Sequence, residues 1–452
     1  MRRDHAIVIG SSIGGLLSAR VLSEVYTKVT ILERDTLPDG VQFRAGVPQG
    51  RQLHLLLMRG LLELEKLFPK LREDMKALGG NELDLMNDCR YLFAAGWAEP
   101  RPSDYRSIIA TRPLFDAAIL GRIRQIPNIE IQTRQEVTDL LFHGRQVVGV
   151  KLRNRDTGEQ HELNANLVVD AAGRPSKLPE WLEQHQFGRV KETIYKSDVG
   201  YATRMYTAPA DWQGWPAIFV MPMPPHIRHG ATFLKVENDQ WLLTIGGVGS
   251  QRPPTDSAEF EAWLARMRTP LIAEITQKFT PASQVYGYAK TENRWVHYER
   301  LPVMPAGLIA IADSVCALNP IYGQGITNTA MSVQVLAKHL QREGIGSAPW
   351  ALIFQKALAR RNKSGWLTTI SEDSRLADTP TYRPILPIRV LQWYSDKVNL
   401  AAAGNRAATN AMVGAIHMIG SAASLFTPNV LIAASRFFRS QPPSSVPAAP
   451  DK

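Results

Sequence analysis

Near its beginning the chain reads Ala6-Ile-Val-Ile-Gly10-Ser-Ser12-Ile-Gly-Gly15-Leu-Leu-Ser-Ala-Arg20. The short apolar run predicts a buried strand, the small residues predict a tight turn, and the periodic apolar residues up to Val25 predict a helix. A second apolar run, Val29 to Leu32, predicts another strand and is followed by the acid Glu33. This order of strand, turn, helix, strand and acid is that of a βαβ unit that binds a dinucleotide.

The turn has a physical role for each of its small residues. Gly10 allows the tight turn, and Gly15 lets the helix approach the strand closely. The helix then presents free N–H groups and a positive dipole end to a pyrophosphate, while Glu33 accepts hydrogen bonds from the adenosine ribose. Ser12 replaces the middle glycine of the G-x-G-x-x-G pattern but is small enough to keep the backbone near phosphate. The predicted cofactor residues of this unit are Gly10, Ser11, Ser12, Ile13, Gly14, Gly15, Glu33 and Arg34. A glycine-rich turn in another kind of α/β protein is the alternative.

The composition is that of a folded chain with more than one structural region. At 452 residues it is long for a single core. The net charge of +10 comes from scattered residues without a dense basic run, so a nucleic-acid partner is not expected. Two distant cysteines, Cys89 and Cys316, predict neither a metal site nor a dithiol couple. We expect a cytoplasmic location, because no secretory leader pattern is present.

Later segments of the chain supply further predicted elements. A helix is expected from about Gly50 to Phe68, and Arg44 and Arg51, which flank its start, are within reach of a cofactor phosphate or lie on the surface. Residues 129–169 predict a small β-meander, and 188–300 predict a mostly antiparallel sheet.

Two more motifs lie far along the chain. One reads Leu167-Val-Val-Asp170-Ala-Ala-Gly173-Arg174, and the other reads Ala312-Asp313-Ser-Val-Cys-Ala-Leu-Asn319-Pro320-Ile-Tyr-Gly323-Gln-Gly325. Together with the first unit they resemble the flavoprotein monooxygenases of the para-hydroxybenzoate hydroxylase and squalene epoxidase type over about residues 1–345. Within that group the chain is most similar to the bacterial polyketide and terpenoid epoxidases. Three features carry this resemblance: Val-Pro-Gln-Gly-Arg-Gln-Leu-His at 47–54, Asn-Pro-Ile-Tyr-Gly-Gln-Gly at 319–325 and a helical C-terminal region.

The resemblance implies where FAD binds. Asp170 and Gly173 match positions near its pyrophosphate, and Asp313 matches the residue that holds the ribityl chain. The turn at Pro320, Gly323, Gln324 and Gly325 matches the one at the flavin ring edge, where a helix N-terminus favours reduction. Arg44 and Arg112 match two arginines that approach FAD, whereas Ala312 replaces the usual glycine before the aspartate.

The fold class that the resemblance implies is α/β (α+β), with a discontinuous Rossmann-like FAD domain of the glutathione-reductase type. Its predicted divisions are an FAD domain at 1–185 and 296–345, with 76–104 on the substrate side, an antiparallel substrate domain at 186–295, a helical region at 346–440 and a disordered tail at 441–452.

The implied reaction is monooxygenation. Reduced FAD would react with O2 to form a C4a-hydroperoxide, which epoxidises or hydroxylates an apolar secondary metabolite. NADPH, NADH or a partner flavin reductase supplies the electrons. No catalytic triad or metal-ligand pattern is present; Tyr322, inside the flavin-edge turn, is the one candidate for an acid–base role, and packing is the alternative.

Other functions of the same fold remain open. A flavin-dependent halogenase usually carries Trp-x-Trp-x-Ile-Pro, and the nearest match, Trp212-Gln-Gly-Trp215-Pro, has the wrong spacing. A prenyl reductase or dehydrogenase would use flavin without O2. A catalytically silent flavin-binding protein is the remaining alternative.

The segment between Arg406 and Arg436 has no charged residue, yet glycines, serines and Pro428 interrupt its apolar run. It is therefore too broken to predict a membrane span. Two helices that cap the substrate cavity are the first interpretation. Peripheral membrane contact through 407–439 is the second.

Overall fold

The computed structural model describes residues 3–44, 46–225, 227–377, 380–420 and 422–441. The tail predicted at 441–452 therefore lies outside the described residues, apart from Gln441.

The first layer is a five-stranded parallel sheet. Its strands are β1 (Arg3–Ile9), β2 (Tyr26–Leu32), β6 (Ile129–Gln132), β10 (Leu167–Asp170) and β19 (Leu308–Ala310), in the spatial order β19-β10-β1-β2-β6. Residues on both faces of the inner strands are buried, which explains their uninterrupted apolar sequences. The register pairs Ile9 with both Leu32 and Asp170, and Asp170 with Ala310, so the three sequence motifs lie at the same edge of the sheet.

Helices cover this sheet. They are α1 (Ile13–Leu22), α2 (Met58–Leu67), α3 (Leu71–Ala77), α4 (Arg112–Arg124), α5 (Leu178–Gln184) and α8 (Gly325–His339). The helix predicted from Gly50 was wrong over its first part. Pro48–Arg51 form a single 3-10 turn, and α2 begins only at Met58. The intervening residues stay extended because remote strands hold them: Gln52 donates to the Tyr286 carbonyl at 3.0 Å, and the Leu56 carbonyl accepts from the Ser107 hydroxyl at 2.6 Å.

The second layer is a seven-stranded sheet. Its strands are β4 (Cys89–Leu92), β12 (Val199–Thr207), β13 (Ala217–Val220), β14 (Gly230–Lys235), β15 (Gln240–Val248), β16 (Thr280–Pro281) and β17 (Tyr286–Tyr288). The pairings are antiparallel except that β4 joins β13 in parallel, which brings a segment of the first hundred residues into this sheet. One face is covered by α6 (Ser257–Trp263) and α7 (Leu271–Thr276).

Three small sheets complete the β-structure. They are formed by β3 (Asn81–Asp84) with β5 (Arg106–Ile109), by β7 (Gln135–His143), β8 (Gln146–Asn154) and β9 (Gln160–Asn164), and by β11 (Glu192–Tyr195), β18 (Asn293–Val296) and β20 (Cys316–Ala317). The meander predicted at 129–169 corresponds to β7–β9, whereas β6 belongs to the parallel sheet.

The C-terminal part of the described chain is helical. Its helices are α9 (Ala348–Leu376), α10 (Leu386–Ala402), α11 (Arg406–Ile416) and α12 (Pro428–Ser435). Phe354 of α9 packs in the core of the parallel sheet, and Val398 of α10 packs in a cluster with Phe219 of the second sheet. These helices therefore lie against both sheets. Among the described residues, no helix is both long and apolar enough to cross a bilayer.

Candidate functional site

The first turn of the site leaves no room for side chains. Gly10 has φ +95°, and a Cβ added there would lie 2.8 Å from the Ala171 carbonyl oxygen. A Cβ on Gly15 would lie 1.8 Å from the Gly10 carbonyl oxygen. Strand β1 and helix α1 are therefore in direct backbone contact, as the sequence predicted.

Glu33 organises the polar side of this turn. Its carboxylate accepts hydrogen bonds from the Ser11 N–H at 3.0 Å, from the Ser11 hydroxyl and from the Asp35 N–H at 3.0 Å. Arg44 forms an ion pair with it at 3.0 Å and also donates to the Ser11 carbonyl at 3.1 Å. Burial opposes the charge, but these hydrogen bonds and Arg44 outweigh it, so the pKa of Glu33 is lowered. The carboxylate is thus held ionised at the end of β2.

Ser12 and Arg112 meet at the N-terminus of α1. The Arg112 guanidinium donates to the Ser12 hydroxyl at 3.0 Å, and its Nε donates to Asp116 at 2.8 Å. Asp116, one helical turn further on, orients the arginine. The hydroxyl of Ser12, which replaces the motif's middle glycine, therefore helps to position the Arg112 guanidinium beside the first turn.

The middle motif is held by hydroxyl groups. Asp170, at the end of β10, accepts from the Ser176 hydroxyl and from the Ala172 N–H at 3.0 Å. Its burial raises its pKa to about 6 despite these bonds. Gly173 has φ +79°, and its N–H donates to the Ser314 hydroxyl at 2.8 Å, which joins the middle motif to the third.

The third motif contains the substituted glycine. Ala312 adopts φ +56°, a left-handed conformation that explains why glycine is usual at this position. A Cβ on Gly14 would lie 2.8 Å from the Ala312 Cβ, so the methyl group packs directly against α1. The next residue, Asp313, is half-buried in the cavity wall, and its desolvation there raises its pKa although Arg174 and Arg112 oppose the shift.

The flavin-edge turn leads into α8. Asn319 caps it by accepting from the Ile321 N–H at 3.1 Å, and Gly323 has φ +64°. Helix α8 begins two residues later, so its free N–H groups face the same space as the N-terminus of α1. Within the described residues, the Gln324 Oε1 atom is buried without a hydrogen-bond partner.

A buried carboxylate from α9 holds this turn from behind. Asp373 accepts from the Tyr322 hydroxyl at 2.8 Å, from Asn319 Nδ2 at 2.9 Å and from Asn293 Nδ2 at 2.5 Å. Asn319 also donates to the Ser197 hydroxyl at 2.9 Å. Burial raises the pKa of Asp373 to about 6, against the effect of its three donors. Tyr322 lines the cavity, and burial, with Asp373 beside it, raises its pKa well above the usual range.

One cavity of about 2030 Å³ connects these parts. The predicted residues that line it are Ser12, Ile13, Gly14, Arg34, Arg112, Gly173, Asp313, Pro320, Tyr322, Gly323, Gln324 and Gly325. Seven predicted residues of the described chain lie behind this lining or beside it: Gly10, Ser11, Gly15, Glu33, Arg44, Arg51 and Asp170. Arg51 stacks between the Phe43 and Tyr286 rings at 4.8 and 4.5 Å from their centroids. Roles in cofactor binding stay predictions for all of these residues.

His54 also lines the cavity. Its Nδ1 lies 3.0 Å from the Gln52 carbonyl oxygen and must donate to it, which leaves Nε2 as an acceptor. Burial, with Arg112 nearby, lowers the pKa of His54 to about 3, so the imidazole is neutral at physiological pH.

The site fits a long cofactor with two distinct ends. At one end are the closed glycine turn, the N-terminus of α1 and Arg112, which suit a pyrophosphate. At the other end are the N-terminus of α8 and the Gln324 Oε1 atom, which has no partner in the described part of the chain; both suit a polar ring edge. Such a two-part site on a parallel sheet defines a protein that binds a flavin dinucleotide.

The comparisons with known proteins agree with this class. The family model described as "FAD binding domain" matches residues 4–353, and the chain belongs to this family. The family expected from the sequence is therefore confirmed, and with it the fold class. FAD is supported as the cofactor, and an FAD-dependent oxidoreductase is supported as the class of enzyme.

Similar proteins share this fold over most of their length. Protein Rv3254 of Mycobacterium tuberculosis is 34% identical over 376 residues, which are 81% of this chain and 79% of that protein. The structure of the flavin-dependent brominase Bmp2 covers 97% of this chain and all of its own, with a TM-score of 0.66 and 15% identity. PqsL, a probable FAD-dependent monooxygenase from Pseudomonas aeruginosa, covers 83% of this chain and 97% of its own, with a TM-score of 0.60 and 16% identity.

The sequence missed residues that act from outside the motifs. Asp373 lies 48 residues after Gly325, the last residue of the flavin-edge turn, and has no recognisable pattern around it. Asn293 is likewise a single polar residue in a short strand. Ser314, by contrast, is part of the third motif, and its position directly after Asp313 was a usable signal.

Proposed function

We propose that this chain is an FAD-dependent monooxygenase that epoxidises or hydroxylates an apolar small molecule, of the kind found in secondary metabolism. The proposal rests on the family and on one observation. The cavity extends beyond the flavin-edge turn into an apolar chamber between the seven-stranded sheet and the C-terminal helices. Apolar lining residues of this chamber include Phe219, Met221, Leu367, Leu391, Leu400, Met412 and Ile416.

The chamber places a substrate where the chain can exclude water. Apolar side chains from four parts of the fold, the end of β13 and helices α9, α10 and α11, favour an apolar molecule by burial and displace water from the surface that it covers. When bound, FAD supplies the redox chemistry: two electrons from a reductant activate O2, and one of its oxygen atoms is inserted into the substrate while the other is released as water.

The chain contributes positioning at the turn between the two compartments. The N-terminal N–H groups of helix α8 would hold the ring edge of a bound flavin, and Gly323 gives the turn its left-handed bend. Tyr322 is fixed in place because its hydroxyl donates a hydrogen bond to the Asp373 carboxylate. These contacts hold the turn rigid between cofactor and substrate.

The test is turnover with isotopically labelled O2. Purified protein is first checked for the absorbance of bound FAD and then reduced by NADPH, by NADH or by an added flavin reductase. Candidate alkenes and aromatic compounds are supplied, and the product is analysed by mass spectrometry. We expect one labelled oxygen atom in the product; a product that forms equally well without O2 contradicts the proposal and points to a reductase or dehydrogenase.

A flavin-dependent halogenase is the second candidate. Brominase and halogenase structures align with 95 to 98% of this chain, whereas PqsL aligns with 83%. The same reaction with chloride or bromide separates the two candidates. A halogenated product that appears only when halide is present would favour this second function.

A further inference from the structure

The C-terminal helices carry most of the exposed apolar side chains of the protein. Of the sixteen large apolar residues that are exposed in the described chain, nine lie between Ile385 and Phe438. They are Ile385, Leu386, Val390, Leu391, Trp393, Phe426, Leu431, Ile432 and Phe438, and together we call them the C-terminal patch. Leu386 is 69% exposed and Ile432 is 57% exposed.

The patch is continuous across two helices. Leu386, Val390 and Trp393 are spaced four and three residues apart, so they share one face of α10. The Trp393 ring lies 5.0 Å from the ring of Phe438, which follows α12. A stripe of this kind on a surface helix normally faces a core, and here it faces outward.

Basic side chains accompany the patch. Between residues 380 and 441 the sequence has six basic residues, Arg383, Arg389, Lys397, Arg406, Arg436 and Arg439, and a single acid, Asp396. That acid is already paired with Arg375 of α9. Arg389, Arg436 and Arg439 are exposed beside the apolar residues. The surface is therefore both apolar and cationic.

The patch also borders the cavity. Leu391 and Phe426 belong to the patch and line the cavity at the same time. The exposed patch and the cavity wall therefore share side chains.

We propose that the C-terminal patch docks on the surface of an anionic lipid bilayer, with α10 and α12 lying in the plane of the headgroups. Apolar side chains enter the acyl boundary while Arg389, Arg436 and Arg439 contact anionic headgroups. No described helix is able to span the bilayer, so the contact is peripheral. The contact predicted from sequence at 407–439 thereby extends to α10.

A second copy of the chain is a poorer occupant, because two cationic faces would repel each other. The bilayer, in contrast, is the phase in which an apolar substrate accumulates. That link to substrate delivery rests on the proposed function, whereas docking itself does not.

The test is co-sedimentation of the FAD-loaded protein with vesicles. Vesicles of phosphatidylcholine with phosphatidylglycerol are compared with vesicles of phosphatidylcholine alone, at low and high salt. We expect binding to the anionic vesicles that weakens with salt. Replacing three arginines (R389Q, R436Q and R439Q) is expected to lower partitioning about five-fold for each charge removed. A K151Q/K278Q/K356Q variant removes three exposed charges elsewhere and is expected to bind like the wild type.

The apolar part is tested by L386Q/V390Q, for which we expect about ten-fold weaker partitioning. Its matched control is I194Q/V303Q, which removes two exposed apolar side chains outside the patch. The proposal is overturned if anionic vesicles bind no protein, or if the two double variants bind equally.

Two further results would assign the patch to a different occupant. A dimer in sedimentation velocity that L386Q/V390Q dissociates would assign the patch to a second copy. A variant that ends at Gln441 is also tested. If this variant binds vesicles and the full chain does not, the patch is covered by the residues after Gln441. None of these assays measures turnover. A negative result for vesicle binding would therefore not contradict the proposed monooxygenase reaction.

Discussion

The two ends of the flavin site are built in different ways. The first turn is supported from within: Ser11, Glu33, Asp35 and Arg44 bond to one another inside a stretch of 34 residues. The flavin-edge turn is supported from outside, by residues that extend from Ser197 to Asp373. A turn of the first kind forms with its own segment, whereas the second requires the sheets and α9 to be in place. Substitutions far along the chain are therefore expected to affect the flavin-edge turn more than the first turn.

The largest effect is expected for Gly15→Ala in the first turn. Its Cβ would lie 1.8 Å from the Gly10 carbonyl oxygen, a backbone atom that has no room to move. We expect a loss of at least about 4 kcal/mol in the free energy of unfolding, together with loss of bound FAD. Urea unfolding and FAD absorbance after gel filtration measure both. Gly121→Ala, in α4 with open space around it, serves as the control and should cost nothing. Equal stability of the two variants would contradict the backbone contact.

The next effect is expected for Glu33→Gln. The substitution leaves Arg44 buried without its anion and is expected to cost about 3 kcal/mol at pH 7. Because the pKa of Glu33 is lowered by folding, its contribution is present above the unfolded value of 4.5 and is lost as pH falls through the folded value. Urea unfolding of both proteins from pH 7 to about pH 3 should show the difference shrinking once the pH falls below 4.5. A difference that grows toward low pH would contradict the ionised state of Glu33.

Asp373→Asn should show the opposite pH dependence. Its amide nitrogen would face a donor, Asn319 or Asn293, at a cost of about 1–3 kcal/mol. The pKa of Asp373 is raised to about 6, so the wild type loses up to roughly 3 kcal/mol of stability from this group between pH 4 and pH 7. The variant lacks this titration, and its deficit should narrow as pH rises. Thermal unfolding across that range measures it; a parallel pH profile for both proteins would show that Asp373 does not titrate there.

Tyr322→Phe is expected to have a smaller effect. It removes one hydrogen bond to Asp373 and leaves the two asparagine donors, at a cost of about 1 kcal/mol. If Tyr322 only positions the turn, kcat should fall less than about ten-fold; a loss of about 100-fold or more would instead support an acid–base role. Steady-state turnover beside thermal unfolding separates these outcomes.

Ala312→Gly should have the smallest effect. It relieves the left-handed strain at φ +56° but removes a methyl group that packs against Gly14. The two terms oppose each other, so the change in stability should stay within about 1 kcal/mol. Ala312→Val is the matched control and should be strongly destabilising, because a branched side chain suits neither the φ angle nor the space. Thermal unfolding measures the stability of both variants. Equal changes in stability for Ala312→Gly and Ala312→Val would contradict the close contact with α1.

Local sequence predicted the parts of the site whose contacts are local. Gly10, Gly15 and Glu33 lie within one βαβ unit, where strand burial, turn geometry and helix start depend on neighbouring residues. The extended segment before α2 escaped prediction for the opposite reason. Its apolar residues suit a helix, yet Gln52 and Leu56 are bound to strands that lie far along the chain.

The sequence by itself determined the dinucleotide unit, the order of the three motifs and the family to which the chain belongs. These features depend on residue types at short spacings, which backbone geometry and phosphate binding constrain directly. Only the tertiary structure decided that Asp373 supports the flavin-edge turn and that one stripe of α10 faces outward beside the cavity. Both features depend on how remote segments pack. The sequence of an apolar stripe or of a lone aspartate is the same whether the side chains are buried, hydrogen-bonded or exposed.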